Sequence, residues 1–259
     1  MTDRKLKIII PVSGGKDSLL CLLLAIETHG KENCIPLFYD TDWDHPETYA
    51  YLSRLEISLG ITIQKTHGGK YHGKNITSMF DLIIEVGQFP FGKGRFCSKY
   101  FKSHASYEWI KQNLDPKGNI CYEVWLGMRL AEGVDRRKRY CKFDYNTTYD
   151  YDEILPNALA KRYREFIKAK LPILELSTNQ VFSEIRRRKI EINPLYFEKT
   201  NDRVGCYPCF LVSKTTQQKM FNTEFGKIQL AKIRKLEKII GKKYENIQNE
   251  DAPCGFCLI

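Results

Sequence analysis

The sequence contains no apolar run long enough to cross a lipid bilayer. Its N-terminus reads Met-Thr-Asp-Arg-Lys-Leu-Lys and leads into only a short apolar run with a proline, which is not the pattern of a signal peptide. Internal repeats and low-complexity tracts are absent as well. These absences predict a cytoplasmic protein with no membrane partner.

Length and composition predict a full hydrophobic core, since 42% of the 259 residues are hydrophobic. We expect an α/β nucleotide-binding domain over residues 1–200 and a smaller, mostly helical, cysteine-bearing region over residues 201–259. The net charge of +10 is compatible with a nucleic acid partner or small anionic substrates, and also with an ordinary solvated surface. The basic clusters are Arg136-Arg-Lys-Arg139, Lys161-Arg-Tyr-Arg164 and Arg186-Arg-Arg-Lys189.

A glycine-rich turn lies between an apolar run that ends at Val12 and an apolar segment of helical length. The spacing of a Walker A loop is missing. Nevertheless, a strand, a glycine loop and a helix N-terminus together form a cradle for phosphate, because backbone N–H groups point at the anion. An ordinary strand-to-helix turn is the alternative. The candidate nucleotide-binding residues are Ser13, Gly14, Gly15, Lys16, Asp17 and Ser18.

Further strands are predicted over residues 35–40, 61–67 and 119–126, with an amphipathic helix ending near Leu59. Alternating strands and helices indicate a parallel sheet, whose ligands bind at the carboxyl ends of the strands. Asp40 and Thr41 follow one such end, where they either contact a nucleotide or cap a helix. Gly127 and Arg129 follow another, and Arg129 and Arg136 could bind phosphate or sulfate through forked hydrogen bonds.

Several segments have weaker patterns. We expect flexible chain over residues 68–75, a loop or lid over residues 143–152 and a helix over residues 163–169. Ser177 is the predicted N-cap of a helix, with Gln180 in the capping-box position. A last helix is predicted over residues 224–240. Its apolar side chains available for packing are Ile228, Ala231, Leu236, Ile239 and Ile240.

The nine cysteines include two Cys-x-x-Cys pairs, Cys206 with Cys209 and Cys254 with Cys257. In a cytosolic protein this spacing indicates metal or redox chemistry. A four-thiolate zinc site, an iron–sulfur cluster that includes Cys97, a mobile redox dithiol and unrelated reduced thiols all remain open. Arg95, Lys99 and Lys102 lie near Cys97 in the sequence and would favour its thiolate. Cys21, Cys34 and Cys121 are interpreted as small hydrophobic residues.

Five motifs, in this order, resemble the phosphoadenosine phosphosulfate (PAPS) reductase family of PP-loop ATP pyrophosphatases. They are Ser13-Gly-Gly-Lys-Asp-Ser18; Asp40-Thr-Asp-Trp-Asp-His-Pro-Glu-Thr48; Phe89-Pro with Arg95-Phe-Cys-Ser-Lys-Tyr-Phe-Lys102; Gly127-Met-Arg-Leu-Ala-Glu132 with Arg136; and Leu171-Pro-Ile-Leu-Glu-Leu-Ser177 through Asn193-Pro-Leu-Tyr196 to Arg203-Val-Gly-Cys-Tyr-Pro-Cys209. The resemblance implies an adenine nucleotide α-hydrolase-like fold. It also implies ATP with Mg²⁺ on the glycine loop and, as in the family's iron–sulfur members, a 4Fe-4S cluster that Cys97, Cys206 and Cys209 help to hold. From the cysteine spacing, Cys254 and Cys257 are further candidate metal ligands, and zinc is the alternative metal.

The sequence also departs from the family's PAPS-reducing members. Those typically have a degraded glycine loop, whereas the loop here is intact, as in the ATP-cleaving branch that installs sulfur in tRNA or DNA. Cys254 resembles their single catalytic cysteine, yet Cys257 makes it a pair. Gly133 replaces a usual serine, and Cys97 is single where cluster-bearing members have two adjacent cysteines.

Three functions follow from the resemblance. The first is cleavage of ATP to AMP and pyrophosphate, coupled to sulfur transfer from a sulfur donor onto nucleic acid. Here Lys16, Asp17 and Arg129 are catalytic, and Arg95, Lys102 and Arg136 bind the substrate anion. The second is reduction of PAPS or APS to sulfite by Cys254 with a thioredoxin-like reductant. The third is a nucleotide-binding subunit of a larger complex without turnover. An oligomer is compatible with all three.

Overall fold

The computed structural model describes residues 5–91, 95–113, 119–155, 167–198 and 203–244. The strands in these ranges are β1 (Lys5–Val12), β2 (Cys34–Tyr39), β3 (Gln64–Thr66), β4 (Gly69–Tyr71), β5 (Lys74–Ile76), β6 (Ile120–Trp125), β7 (Thr148–Asp150) and β8 (Ile167–Lys170). The helices are α1 (Lys16–His29), α2 (Pro46–Leu59), α3 (Met79–Val86), α4 (Phe96–Ser98), α5 (Ala105–Asn113), α6 (Val134–Tyr140), α7 (Tyr151–Ile154), α8 (Thr178–Arg187), α9 (Lys214–Phe221) and α10 (Glu224–Ile240). A π-helical segment, Lys99–His104, joins α4 to α5.

Six strands form one sheet in the order β3-β2-β1-β6-β8-β7. The pairs β1–β2, β1–β6, β2–β3 and β6–β8 are parallel, and β7 pairs with β8 in the antiparallel direction at the edge. In the register, Ile8 lies opposite Cys34 and Lys5 lies opposite Ile120. The predicted α/β fold with a parallel sheet is confirmed.

The alternation of side chains along β1 divides the core between the two faces of the sheet. Ile9 belongs to a cluster that also includes Leu37 and Val124, and it packs against residues of α5 and α7. Ile8 and Ile10 point to the opposite face and pack with α1, α2 and α8. Because successive strand side chains alternate in direction, a central strand with apolar residues at consecutive positions must be covered on both faces.

A third cluster joins the C-terminal helices to α3 and to the π-helical segment Lys99–His104. It includes Trp43, Phe89 and Phe210, together with Ile233 and Leu236 of α10. None of the helices in the described ranges combines the length and apolar character that a membrane crossing needs. The expected domain boundary at residue 200 and the basic cluster at residues 161–164 lie outside the described residues.

Helix boundaries follow local capping chemistry. Ser177 caps α8 and forms the predicted capping box with Gln180, whose side chain accepts from the Ser177 N–H at 2.8 Å. The last helix spans Glu224–Ile240, as predicted, between Thr223 at its N-cap and Gly241 in a left-handed conformation. Leu236 is buried, but Ile228, Ala231 and Ile239 are exposed, so the prediction that these three residues contribute to packing is wrong.

The expected flexible segment over residues 68–75 is instead a hairpin of β4 and β5. His72 and Gly73 both have positive φ, +47° and +83°, as the tight turn of a two-residue hairpin requires. The strands have three residues each, too few for an alternating pattern to be visible in the sequence. The predicted third strand is also shorter, since only Gln64–Thr66 pairs with β2.

Two further predictions near the sheet edge are wrong. The expected loop over residues 143–152 contains β7 and the start of α7. The end of the segment expected to be helical is β8, in which Ile167 and Ala169 are buried while Lys168 is exposed; residues 163–166 lie outside the described residues. Lysine and alanine favour helices, and pairing with β6 overrides that preference.

Candidate nucleotide-binding site

The strand order reverses between β1 and β6, and a cavity of about 370 Å³ lies at their carboxyl ends. In open parallel sheets this crevice is where ligands bind. The cavity is lined by the loop after β1, by Gly127 and Arg129 after β6, and by residues 203–206. Its volume falls within the range of small-molecule sites.

Glycine is required at the start of the loop. Gly14 has φ +74°, and a Cβ added there would lie 2.8 Å from Thr48 Cγ2. The Gly14 carbonyl accepts a hydrogen bond from Asn193 Nδ2 at 3.2 Å. Ser18 Oγ donates to the Gly15 carbonyl at 2.9 Å and accepts from the Ser13 N–H at 3.2 Å. The loop is therefore held in shape from within and by Asn193.

Asp17 joins two buried cations at the beginning of α1. Its carboxylate lies 2.9 Å from Lys16 Nζ and 2.6 Å from Arg129 Nε. The Arg129 side chain is only 2% exposed, and its Nη1 also donates to the Leu176 carbonyl at 3.1 Å. The structure thus brings together the three side chains predicted to be catalytic, Lys16, Asp17 and Arg129.

Gly127 explains how the chain after β6 reaches the loop. A Cβ added at Gly127 would lie 3.0 Å from the carbonyl carbon of Asp17 and 3.1 Å from the Ser18 nitrogen. Those distances are shorter than ordinary van der Waals contact, so a larger residue would push the two segments apart. Arg129, two residues later, is thereby brought within reach of Asp17.

Tyr196 is a site residue that the sequence did not single out. Its hydroxyl accepts from the Lys16 N–H at 3.0 Å, and its ring lies 5.5 Å from Lys16 Nζ. Burial raises the pKa of Tyr196 to about 12, although the hydrogen bond from the Lys16 backbone opposes this. Tyr196 and Lys16 are 180 positions apart, so only the Asn193-Pro-Leu-Tyr196 motif could have pointed to it.

The cavity has an excess of positive charge. The cationic residues that line it are Lys16, Lys102, Arg129, Arg136 and Arg203. The anionic ones are Asp17, Asp44 and Glu132. Arg136 also forms an ion pair with Glu132, one turn away on the chain. A cavity with five cations and three carboxylates favours an anionic ligand.

Other predicted site residues lie around this cavity. Thr41 lines it, whereas the Asp40 carboxylate accepts hydrogen bonds from the Tyr49 hydroxyl at 2.8 Å and the Asp42 N–H at 3.0 Å. Arg95 is the N-cap of α4, and Cys97 packs against the hydrophobic cluster of α3 and α10. Lys102 and Arg136, predicted to bind the substrate anion, both line the cavity.

Cys206 and Cys209 lie on a loop that also lines the cavity. Three successive carbonyl groups in this loop accept hydrogen bonds from side chains on other elements. Gln229 Nε2 donates to Tyr207 at 2.8 Å, Trp43 Nε1 to Pro208 at 3.2 Å and Gln217 Nε2 to Cys209 at 3.3 Å. All three donor residues are buried. The backbone of the thiol loop, residues 206–209, is therefore held by side chains of α9, of α10 and of the segment before α2.

The described residues do not form the expected metal site. Among them, no three His, Cys, Asp or Glu side chains are grouped so that they could hold a metal ion. Cys97, Cys206 and Cys209 therefore do not make a ligand set on their own, and Cys254 and Cys257 lie outside the described residues. Neither a 4Fe-4S cluster nor zinc is supported by this arrangement.

A glycine loop at the switch point of a parallel sheet, facing a cationic cavity, defines a nucleotide-binding α/β protein. Residues 7–211 match the model of the phosphoadenosine phosphosulfate reductase domain. This match covers most of the chain, and the protein belongs to that family, which is a nucleotide-binding, sulfur-related enzyme family.

The individual relatives are distant. An uncharacterized protein of Methanocaldococcus jannaschii is 27% identical over 97% of this chain, and the chain spans 44% of that protein's length. An uncharacterized 37.8 kDa protein of Escherichia phage 186 is also 27% identical, over 82% of this chain and 70% of its own. The phosphate complex of PAPS reductase from Candida auris has a TM-score of 0.51 and 14% identity, covering 78% of this chain and 82% of that one. The last similarity concerns the fold alone.

Proposed function

We propose that the protein cleaves ATP to AMP and pyrophosphate and uses the energy to transfer sulfur onto a nucleic acid. The observation that carries this proposal is the intact glycine loop, with Lys16 and Arg129 beside it in the cationic cavity. A polyphosphate of several negative charges suits a cavity whose cations outnumber its carboxylates.

In the first step an oxygen of the acceptor attacks the α-phosphorus of ATP, the bond to the β-phosphate breaks, and pyrophosphate leaves. Charge grows on the phosphate oxygens during this step. Lys16 and Arg129 stabilise that charge as preorganised cations in a largely buried site. Mg²⁺ would accompany the phosphates, as it usually binds through phosphate oxygens and water. In the second step a sulfur nucleophile displaces AMP, which takes the acceptor oxygen with it.

Two features support a nucleic acid as acceptor and a sulfur step close to the nucleotide. The chain has a net charge of +10, which favours a polyanionic partner. Cys206 and Cys209 line the same cavity as the glycine loop. A thiol placed there is within the site where an adenylated acceptor would form.

Measurement of AMP and pyrophosphate from labelled ATP tests the proposal. We expect Lys16→Ala to abolish both products, since the variant lacks the cation beside the loop, while thermal unfolding stays cooperative. Lys65→Ala removes the same charge from the exposed strand β3 and should leave turnover unchanged. Turnover by Lys16→Ala at the wild-type rate would contradict the mechanism. ATP binding without products, under every acceptor, would indicate a subunit without turnover.

The second candidate function is reduction of PAPS or APS to sulfite, with Cys254 as nucleophile. The family match favours it, because the family model is that of the PAPS reductase domain. Release of sulfite from PAPS in the presence of thioredoxin and the absence of ATP would decide for reduction, and its loss in Cys254→Ser would identify the nucleophile.

A further inference from the structure

The positive charge of the protein is concentrated in α9, α10 and the residues that follow. Residues 214–243 contain nine lysines and arginines and two glutamates, a net charge of +7 out of the chain's +10. The other 229 residues together carry only +3. The excess is therefore a local property of α9, α10 and the two lysines that follow them.

Within α10 four cations share one side of the helix. Lys227, Arg234 and Lys238 recur at intervals of seven and four residues, and Lys235 lies beside them. Gly226, Gln229, Ile233 and Leu236 are the buried positions and occupy the opposite side. We call the four cations, together with Lys214, Lys219, Lys242 and Lys243, the basic face.

The lysines of the basic face are exposed and available. In the described part of the chain, Glu237 pairs with Arg234 at 2.8 Å, and no ion pair to a carboxylate is formed by the seven lysines. Lys235 Nζ lies 5.6 Å from the Phe80 ring centre, which supports its stem without neutralising its charge. The basic face thus presents several uncompensated charges to solvent.

The helices α9 and α10 pack directly against each other. A Cβ added at Gly226 would lie 1.8 Å from the Met220 carbonyl oxygen, so α10 starts in direct contact with the end of α9. On its buried side, Gln229 holds the Tyr207 carbonyl of the thiol loop. The helix α10 therefore carries basic-face residues on its exposed side and contacts the thiol loop on its buried side.

We propose that the basic face binds the phosphate backbone of the nucleic acid that accepts sulfur. This inference rests on the proposed function for the role of that partner. From Lys227 to Lys238 the helix rises about 16 Å, which matches about five phosphates along one strand. An anionic membrane suits the face less well, since an interfacial helix needs a free apolar side, and the apolar side of α10 is buried.

The test is the affinity of the full chain for a fluorescent oligonucleotide, single-stranded or duplex, across a salt series without ATP. The variant Lys227→Gln/Lys235→Gln/Lys238→Gln should bind about 10–100-fold more weakly near 0.1 M salt, with a salt slope smaller by about 2 for a single strand and about 3 for a duplex. The matched control is Arg137→Gln/Lys138→Gln/Lys142→Gln, which removes the same charge from the exposed surface of α6 and the residues after it. It should change the affinity less than threefold.

Equal weakening in both triple variants would show a general charge effect and overturn the proposal, as would no binding by the wild-type chain. If the wild-type chain binds phosphatidylserine-containing vesicles but no oligonucleotide, and the basic-face triple variant loses the vesicle binding, the partner of this surface is a membrane and the proposal is wrong. ATP cleavage, measured separately, decides the proposed function. If the protein binds the oligonucleotide through the basic face but does not cleave ATP, the binding surface is confirmed and the proposed ATP-dependent function is wrong.

Discussion

Replacing Asp17 with asparagine tests whether the ion pairs beside the glycine loop contribute to stability as their burial implies. The change keeps the size of the side chain but leaves Lys16 and the buried Arg129 without their shared carboxylate. Removing one partner of a buried ion pair lowers the free energy of unfolding by about 3–5 kcal/mol. Because the Asp17 side chain is 17% exposed, we expect a loss at the lower limit, about 3 kcal/mol. For a chain of this size, that lowers the melting temperature by about 6–12 °C.

Thermal denaturation with and without ATP is the assay. Because the phosphates of ATP would replace the missing negative charge, we expect ATP to raise the melting temperature of Asp17→Asn more than that of the wild type. Glu85→Gln is the control, since it removes a carboxylate from the exposed pair with Lys74 and should cost less than about 1 kcal/mol. Equal melting temperatures for the two variants would refute the reasoning from the buried ion pair. If ATP raises the melting temperature of Asp17→Asn no more than that of the wild type, the nucleotide does not bind beside Lys16 and Arg129.

The remaining predictions concern the loop glycine and the thiol loop. Gly14→Ala should destabilise the protein in urea unfolding by at least about 1 kcal/mol more than Gly87→Ala, because both glycines have positive φ but only the new Cβ at position 14 meets a neighbour, Thr48. Equal losses of stability in the two variants would show that the positive φ, and not the contact with Thr48, determines the cost of the substitution. Gln229→Met should cost about 1–3 kcal/mol and speed alkylation of Cys206 and Cys209, since the Tyr207 carbonyl loses its donor. Gln218→Met, on the exposed side of α9, should change neither quantity, and unchanged alkylation in Gln229→Met would mean that the thiol loop is held otherwise.

Features with local causes could be predicted from the sequence. The glycine loop, the capping box at Ser177 and the limits of α10 each depend on residues within one or two helical turns. The strands β7 and β8 could not, because they are only three and four residues long and become strands by pairing with each other and with β6. The hairpin of β4 and β5 was missed for a similar reason, since three residues are too few to show a period.

Part of the site could also be predicted, because some of its residues belong to local motifs. Lys16, Asp17 and Arg129 could be named because they belong to motifs at strand ends, and the sheet brings strand ends together. Tyr196, Asn193 and Gln229 each bond to a backbone atom far away in the sequence. Such contacts leave no spacing pattern in the chain, so the motif marks Asn193 and Tyr196 without revealing their partners, and only the folded structure identifies Gln229.

The fixed thiol loop limits how a sulfur step could proceed. Since buried side chains hold the carbonyls of Tyr207, Pro208 and Cys209, the loop cannot swing outward to meet a distant acceptor without breaking those hydrogen bonds. The acceptor must instead reach into the cavity that Cys206 and Cys209 line. A nucleic acid bound to the basic face would be separated from the Tyr207 carbonyl by the ~10 Å width of α10, so its acceptor position would have to pass around this helix to reach the cavity. A nucleotide that has left its stack can extend in this way and a base inside a duplex cannot, which favours single-stranded or flipped-out acceptor positions.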